Sequence, residues 1–216
     1  MKTLFLFFMD LGRLLCAPLL FVFRVRRMHL DGSPAHTLLK GGAVLVCNHV
    51  GFSDPMVLGC AFAPRRVFFL AAEAVMQPGL RGFLLRHAGC IRIDRNACDI
   101  EAIRSCVQVL QAGKLLCIFP QGHLQHSGAL DQIKQGAAMI AQQAQVPLIP
   151  LYTDKPPSPF RRRVLIVGQA IHPQDYCFGK FPLPAELRTL ADTTRTGMLR
   201  CKQAYSAYAY QKGGHS

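Results

Sequence analysis

Short apolar runs alternate along this chain with longer amphipathic stretches, and their spacing predicts a series of strands and helices. Ala43 to Cys47 is a continuous apolar run, as expected of a strand buried on both faces. Residues 65–71 read as a second strand, 89–95 as a third with an exposed polar end, and 115–119 as a buried fourth that runs into Pro120. Residues 146–152 and 163–168 supply later strands, separated by a proline-rich loop with Arg161, Arg162 and Arg163 at its end. Helices are predicted at about 55–62, 78–87, 99–111, 131–145 and 185–210. Gly113 supplies a stop signal for the third of these, and Ala137, Ala138, Ile140 and Ala141 form the inward stripe of the fourth. Strands alternating with helices predict an α/β fold.

The first residues break this rhythm. From Leu4 to Phe23 the chain is almost wholly apolar, interrupted by Asp10, Gly12 and Arg13 and followed by Arg24, Arg26 and Arg27. A secretory signal needs an unbroken apolar core and a small-residue cleavage site, and neither is clear in this segment. A spanning helix would carry Asp10 and Arg13 near its centre, where each is costly. The pattern fits an interfacial or re-entrant membrane helix whose arginines meet anionic headgroups. A buried helix packed on the protein and a single span are the other readings. The expected division is therefore a membrane-associating segment over residues 1–30 and an α/β domain over 31–216.

Composition narrows the partners. The 216 residues are 50% hydrophobic and 17% charged, with a net charge of +13, which points to an anionic partner. The basic residues are scattered and there is no Trp, which argues against nucleic acid and for lipid headgroups or a phosphorylated substrate. Nine cysteines form no C-x-x-C pair and no zinc spacing, so no metal site is expected. Most sit in apolar runs, which suggests reduced, buried thiols and a catalytic body on the cytoplasmic side.

The candidate chemistry lies where the Ala43–Cys47 strand stops. Asn48-His49-Val50-Gly51-Phe52-Ser53-Asp54 delivers an imidazole and a carboxylate separated by a turn. On one continuous helix a spacing of five would set the two side chains roughly 140° apart. The turn residues Gly51 and Ser53 remove that obstacle. Two readings stand: a general-base pair, or an Asp54 that caps the helix opened by Pro55 beside an ordinary loop histidine. Cys47 is expected to point into the core and not to act as a nucleophile.

Four stretches in order resemble the motif blocks of the glycerolipid acyltransferases, most closely the 1-acylglycerol-3-phosphate acyltransferases. They are Asn48-His49 with Asp54, Gly89-Cys90-Ile91-Arg92-Ile93-Asp94-Arg95, Phe119-Pro120-Gln121-Gly122, and Val146-Pro147-Leu148-Ile149-Pro150. Lys134-Gln135-Gly136-Ala137-Ala138 is similar to the segment before the last block, and the similarity covers about 40–168. The resemblance implies a mixed sheet flanked by helices. It implies fatty acyl transfer from acyl-CoA or acyl carrier protein to a lysophospholipid hydroxyl, with no further cofactor and no metal. By motif position His49 would be the general base and Asp54 its partner. Arg95 would hold the acceptor phosphate. Gln121, Gly122, His123 and Lys134 would lie around the same phosphate.

The third block departs from the family pattern. Gln121 replaces the usual glutamate, and Leu124 stands where an arginine is expected. Ala72 likewise replaces a lysine often found just before the position of Glu73. These changes remove part of the expected phosphate clamp and keep two alternatives open. One is an acyltransferase for another amphiphile, such as an aminoacyl or other lysolipid. The other is a non-catalytic membrane-binding relative.

Overall fold

The structure is a computed structural model that describes residues 25–35, 39–51, 53–72, 76, 79, 89–94, 99–120, 135–154, 163–179 and 182–213. The apolar segment over residues 1–24, the helix expected at 78–87 apart from Gly79, and Arg95, Gln121, Gly122, His123 and Lys134 lie outside the described residues.

Seven strands among the described residues make one sheet: β1 (Val25–Met28), β2 (Ala43–Cys47), β3 (Val67–Ala72), β4 (Cys90–Ile93), β5 (Leu115–Ile118), β6 (Leu148–Thr153) and β7 (Arg163–Val167). Their order is β1-β7-β6-β2-β5-β3-β4. From β4 across to β6 every pairing is parallel. β7 then runs antiparallel to β6, and β1 runs parallel to β7. The sheet is therefore mixed, and the ends of β2, β5 and β6 lie at the same edge as the beginnings of β7 and β1.

Alternation along the strands decides which layer each side chain enters. Ala43, Leu45 and Cys47 of β2 pack with Leu115 and Cys117 of β5 and with Leu58 of the helix α1 (Asp54–Ala61). Val44 and Val46 point the other way. They meet Leu110 of α2 (Ile100–Gln111), Ala138 of α3 (Gly136–Ala144) and Met198 of α4 (Pro184–Gly213). With both faces covered, β2, β5, β6 and β7 are buried throughout. That is why they read as unbroken apolar runs rather than as alternation.

Local signals set several boundaries. Asp99 caps α2 by accepting from the Ala102 N–H at 2.9 Å, and Gly113 follows the helix at φ 72°, a left-handed conformation that suits glycine. Ala137, Ala138, Ile140 and Ala141 are buried as expected. α4 seats tightly on β6, because a Cβ at Gly197 would lie 2.6 Å from Pro150 Cγ. At the end of the sheet where strands begin, the Arg65 guanidinium donates to the carbonyls of Leu39 and Gly41, and to that of Gly113 at 2.6 Å.

The sequence reading missed β1. Val25-Arg26-Arg27-Met28 is a short, basic edge strand without a run of apolar residues, so it reads as the charged flank of the segment before it. In the structure Arg26 is exposed, whereas Arg27 lies 5.7 Å over the Phe62 ring and belongs to the α1 layer. Val25–Met28, grouped in the sequence reading with the N-terminal segment, thus join the sheet. Among the described residues no helix is long and apolar enough to cross a membrane.

Candidate active site

β2 ends at Cys47, and the next residue is tied across the sheet. Asn48 Nδ2 donates to the Thr153 carbonyl at 2.7 Å, and Asn48 Oδ1 accepts from the Thr153 N–H at 3.0 Å. This reciprocal pair satisfies a buried amide and fixes where the following turn leaves the sheet. The chain then reverses, the Asp54 N–H donating to the Gly51 carbonyl at 3.0 Å, and α1 begins.

Asp54 is the first residue of α1, while Ser53 occupies the cap position and makes no side-chain capping bond. The cap reading of Asp54 is corrected by this geometry, since the carboxylate faces back toward the strand end. Its Oδ2 accepts from His49 Nδ1 at 2.7 Å, from the Val50 N–H at 2.7 Å and from the Gly51 N–H at 2.9 Å. Its Oδ1 accepts from Arg163 Nη2 at 2.5 Å. The five-residue spacing is thus explained by a turn that wraps one carboxylate, with the imidazole as one of its donors.

Asp54 is 0% exposed. Burial alone would push its carboxyl up. The bonds from His49 and Gly51, the Arg163 guanidinium and the Val50 N–H outweigh burial and hold it below the ordinary carboxylate value. An ionised Asp54 accepting at Nδ1 requires the proton of a neutral imidazole to sit on Nδ1, which leaves the Nε2 lone pair free to accept. The His49 side chain is 19% exposed, so the pair is reached from one side. Its ring stacks on Phe119 with centroids 4.3 Å apart and planes 20° apart, and Phe119 in turn stacks on Phe69. The phenylalanine of the third motif block therefore helps hold the imidazole.

Sequence reasoning placed Arg163 where the proline-rich loop meets a strand and gave it no part in the site. It opens β7, is 7% exposed, and places Nε 3.1 Å from Thr153 Oγ1 and Nη1 3.3 Å from Ser53 Oγ. Register explains its position. Thr153 pairs with Leu165 across the antiparallel β6–β7 ladder, so Arg163 falls just beyond the end of β6, beside the His49 turn. One signal was available: an arginine heading the apolar run Val164 to Val167 needs a buried anionic partner if the whole run is inside.

Cys47 is buried, with its Sγ 3.7 Å from Asn48 Oδ1. Burial, then the Asp54 charge, pushes its thiol well above the ordinary value. It is a packed thiol, as expected. Near the second motif block, Asp99 Oδ2 accepts from the Asp94 N–H at 3.1 Å, tying the exit of β4 to the start of α2. A separate cavity of about 850 Å³ lies by α3, lined by Met139, Gln142, Gln145, Phe178 and Leu187. It presents amides and apolar groups, and it sits at the end of the sheet where β6 begins, away from His49.

The sequence pattern of the Acyltransferase family matches residues 25–154. The 1-acyl-sn-glycerol-3-phosphate acyltransferase of Bacillus subtilis is 28% identical over 157 residues, which are 70% of this chain and 76% of that protein. Proteins of similar name from Streptococcus pneumoniae and Homo sapiens are 31% and 32% identical over 50% of this chain. Those matches cover 40% and 39% of the relatives' own length. The fold is similar to the crystal structure of the 1-acyl-sn-glycerophosphate (LPA) acyltransferase PlsC from Thermotoga maritima. The TM-score is 0.56 with 19% identity, over 93% of this chain and 80% of that one. The matched span runs from β1 through the His49–Asp54 turn to the end of β6, and the chain belongs to the acyltransferase family, as a 1-acylglycerol-3-phosphate acyltransferase-like enzyme.

Proposed function

We propose that this enzyme moves a fatty acyl group from acyl-CoA or acyl carrier protein to the free hydroxyl of 1-acylglycerol-3-phosphate, giving phosphatidate. The observation that carries this reading is the 2.7 Å bond from His49 Nδ1 to a carboxylate that has no exposure and a full set of donors. An alcohol is a weak nucleophile until its proton is withdrawn as the new bond forms, and a positioned neutral imidazole does this at neutral pH. Nε2 takes the hydroxyl proton as the oxygen attacks the thioester carbonyl. The tetrahedral intermediate then collapses, the C–S bond breaks, and the proton passes from Nε2 to the departing sulfur. Asp54 keeps the tautomer and stabilises the transient imidazolium. The acceptor hydroxyl takes the place of an enzyme nucleophile, so the reaction balances without a cofactor, a metal or an acyl-enzyme.

Arg95 is the proposed phosphate contact, with Gln121, Gly122, His123 and Lys134 around it. Its neighbour Asp94 leaves β4 at the same edge of the sheet as His49, three strands away, or about 14 Å at ordinary strand spacing. The apolar N-terminal segment leads into Val25, which pairs with Arg163 at that same edge. This supports a membrane-associated enzyme whose catalytic edge faces the bilayer that supplies its lipid. A second reading, an acyltransferase for another amphiphile, draws on Gln121 and Leu124 in the third block.

The test is turnover of acyl thioesters by purified protein with phosphate-bearing and phosphate-free lysolipids. His49→Ala is expected to lower turnover about 10³-fold with an unchanged circular dichroism spectrum. Activity within tenfold of wild type would remove His49 as the base. Arg95→Ala is expected to raise KM for the phosphate-bearing acceptor more than it lowers kcat. Equal rates on phosphate-free acceptors would favour the second reading.

A further inference from the structure

We propose that Arg163 is a positioning residue that keeps the His49–Asp54 pair from taking up an extra proton at neutral pH, so that the imidazole meets the acceptor as a free base. This rests on the reading of His49 as the general base. The guanidinium is held at three points, Asp54 Oδ1, Thr153 Oγ1 and Ser53 Oγ. Thr153 is itself anchored, its hydroxyl donating to the Val164 carbonyl at 2.8 Å and its backbone meeting Asn48 on both sides. A planar fork tied at three points is held in one orientation against the carboxylate.

The charge count gives the arrangement its consequence. With Asp54 negative, Arg163 positive and the imidazole in the base form that the proposed reaction needs, the cluster sums to zero. Without Arg163 the cluster would carry one uncompensated negative charge on the buried Asp54, and a proton on His49 would neutralise it. A standing imidazolium–carboxylate pair would then be favoured, and it cannot accept a proton from the acceptor hydroxyl. Arg163 removes that incentive while leaving Asp54 able to stabilise the imidazolium that forms during turnover.

Most of the other titratable groups packed around the cluster carry no charge. Cys47 on β2, Cys117 on β5, and Cys201 and Tyr205 on α4 are all pushed up by burial and stay neutral, as does Tyr152 on β6. Asp154 is exposed after β6, and Arg27 of β1 lies over Phe62. Among the described residues, Asp54 and Arg163 are the two ionised groups locked to one another beside the imidazole.

The test combines the acid limb of kcat/KM with the NMR titration of the His49 ring, assigned by its loss in His49→Ala. In Arg163→Gln both are expected to move toward higher pH by about one pH unit, because a buried positive charge has gone. Arg163→Lys keeps a charge and should move them less. Thr153→Val, nearly isosteric, frees Nε and should give a smaller upward shift, and it stands in if Arg163→Gln does not fold. An acid limb and ring titration that stay in place or move down in the folded variants would overturn the proposal, as would equal shifts in Arg163→Gln and Arg163→Lys. A purely structural arginine would lower activity without moving either curve. If His49→Ala retains turnover, the general-base reading fails while the ring titration still judges Arg163.

Discussion

The two ends of the sheet are each held by an arginine, in different chemical company. Where β2, β5 and β6 stop, Arg163 meets the Asp54 carboxylate, two hydroxyls and, through Asp54, the imidazole. Where β2, β3 and β5 begin, Arg65 meets the neutral carbonyls of Leu39, Gly41 and Gly113. Those three carbonyls come from two segments leading into neighbouring strands, so Arg65 staples connections together. Its charge is solvated by these backbone dipoles. Arg163 sits on a buried carboxylate that would otherwise lack a compensating charge. One residue type thus binds neutral carbonyls at one end of the molecule and a carboxylate bonded to an imidazole at the other, and the partner decides what it can do.

The sharpest way to break the comparison is to alter the carboxylate. Asp54→Asn leaves Arg163 buried without its anion and no longer orients Nδ1. Turnover should fall about 10³-fold, with a loss of about 3 kcal/mol in urea unfolding. A variant that loses activity but no stability would mean that Arg163 finds other partners. Arg65→Ala should show the reverse profile: about 2 kcal/mol of stability lost through orphaned carbonyls, with kcat within twofold of wild type. A large drop in kcat there would dissolve the distinction between the two ends.

The smallest effect concerns acid stability. The folded Asp54 sits below its unfolded value near about 3.9. Its contribution is therefore complete above that value and is lost as pH falls through the lower folded value. Below about pH 4 the Tm of the wild type should fall more steeply with pH than that of Asp54→Asn. Parallel curves would place the acid-sensitive group elsewhere.

Much of this was legible locally. The His49 turn, the buried runs of β2 and β5, and the Asp99 cap depend on residues within a few positions of one another. The sequence reading placed the turn, both runs and the start of the helix that Asp99 caps to within about two residues. β1 was hidden because an edge strand with Arg26 and Arg27 carries no apolar pattern. Arg95, Gln121, Gly122, His123 and Lys134 were named from motif position, outside the described residues.

By itself the sequence determined an α/β order of elements and an imidazole five residues from a carboxylate, because hydrophobic period and turn chemistry act over short range. Only the tertiary structure brought Arg163 to Asp54, 109 residues away, and Thr153 to Asn48, 105 residues away. The physical reason is strand direction. β7 runs against β6, so its first residue lies at the edge where the parallel strands end, whereas a parallel β7 would have begun at the opposite edge. Local pattern does not specify that direction. It is settled when the buried faces of β6 and β7 pair, and the ion pair of Asp54 with Arg163 is settled with it.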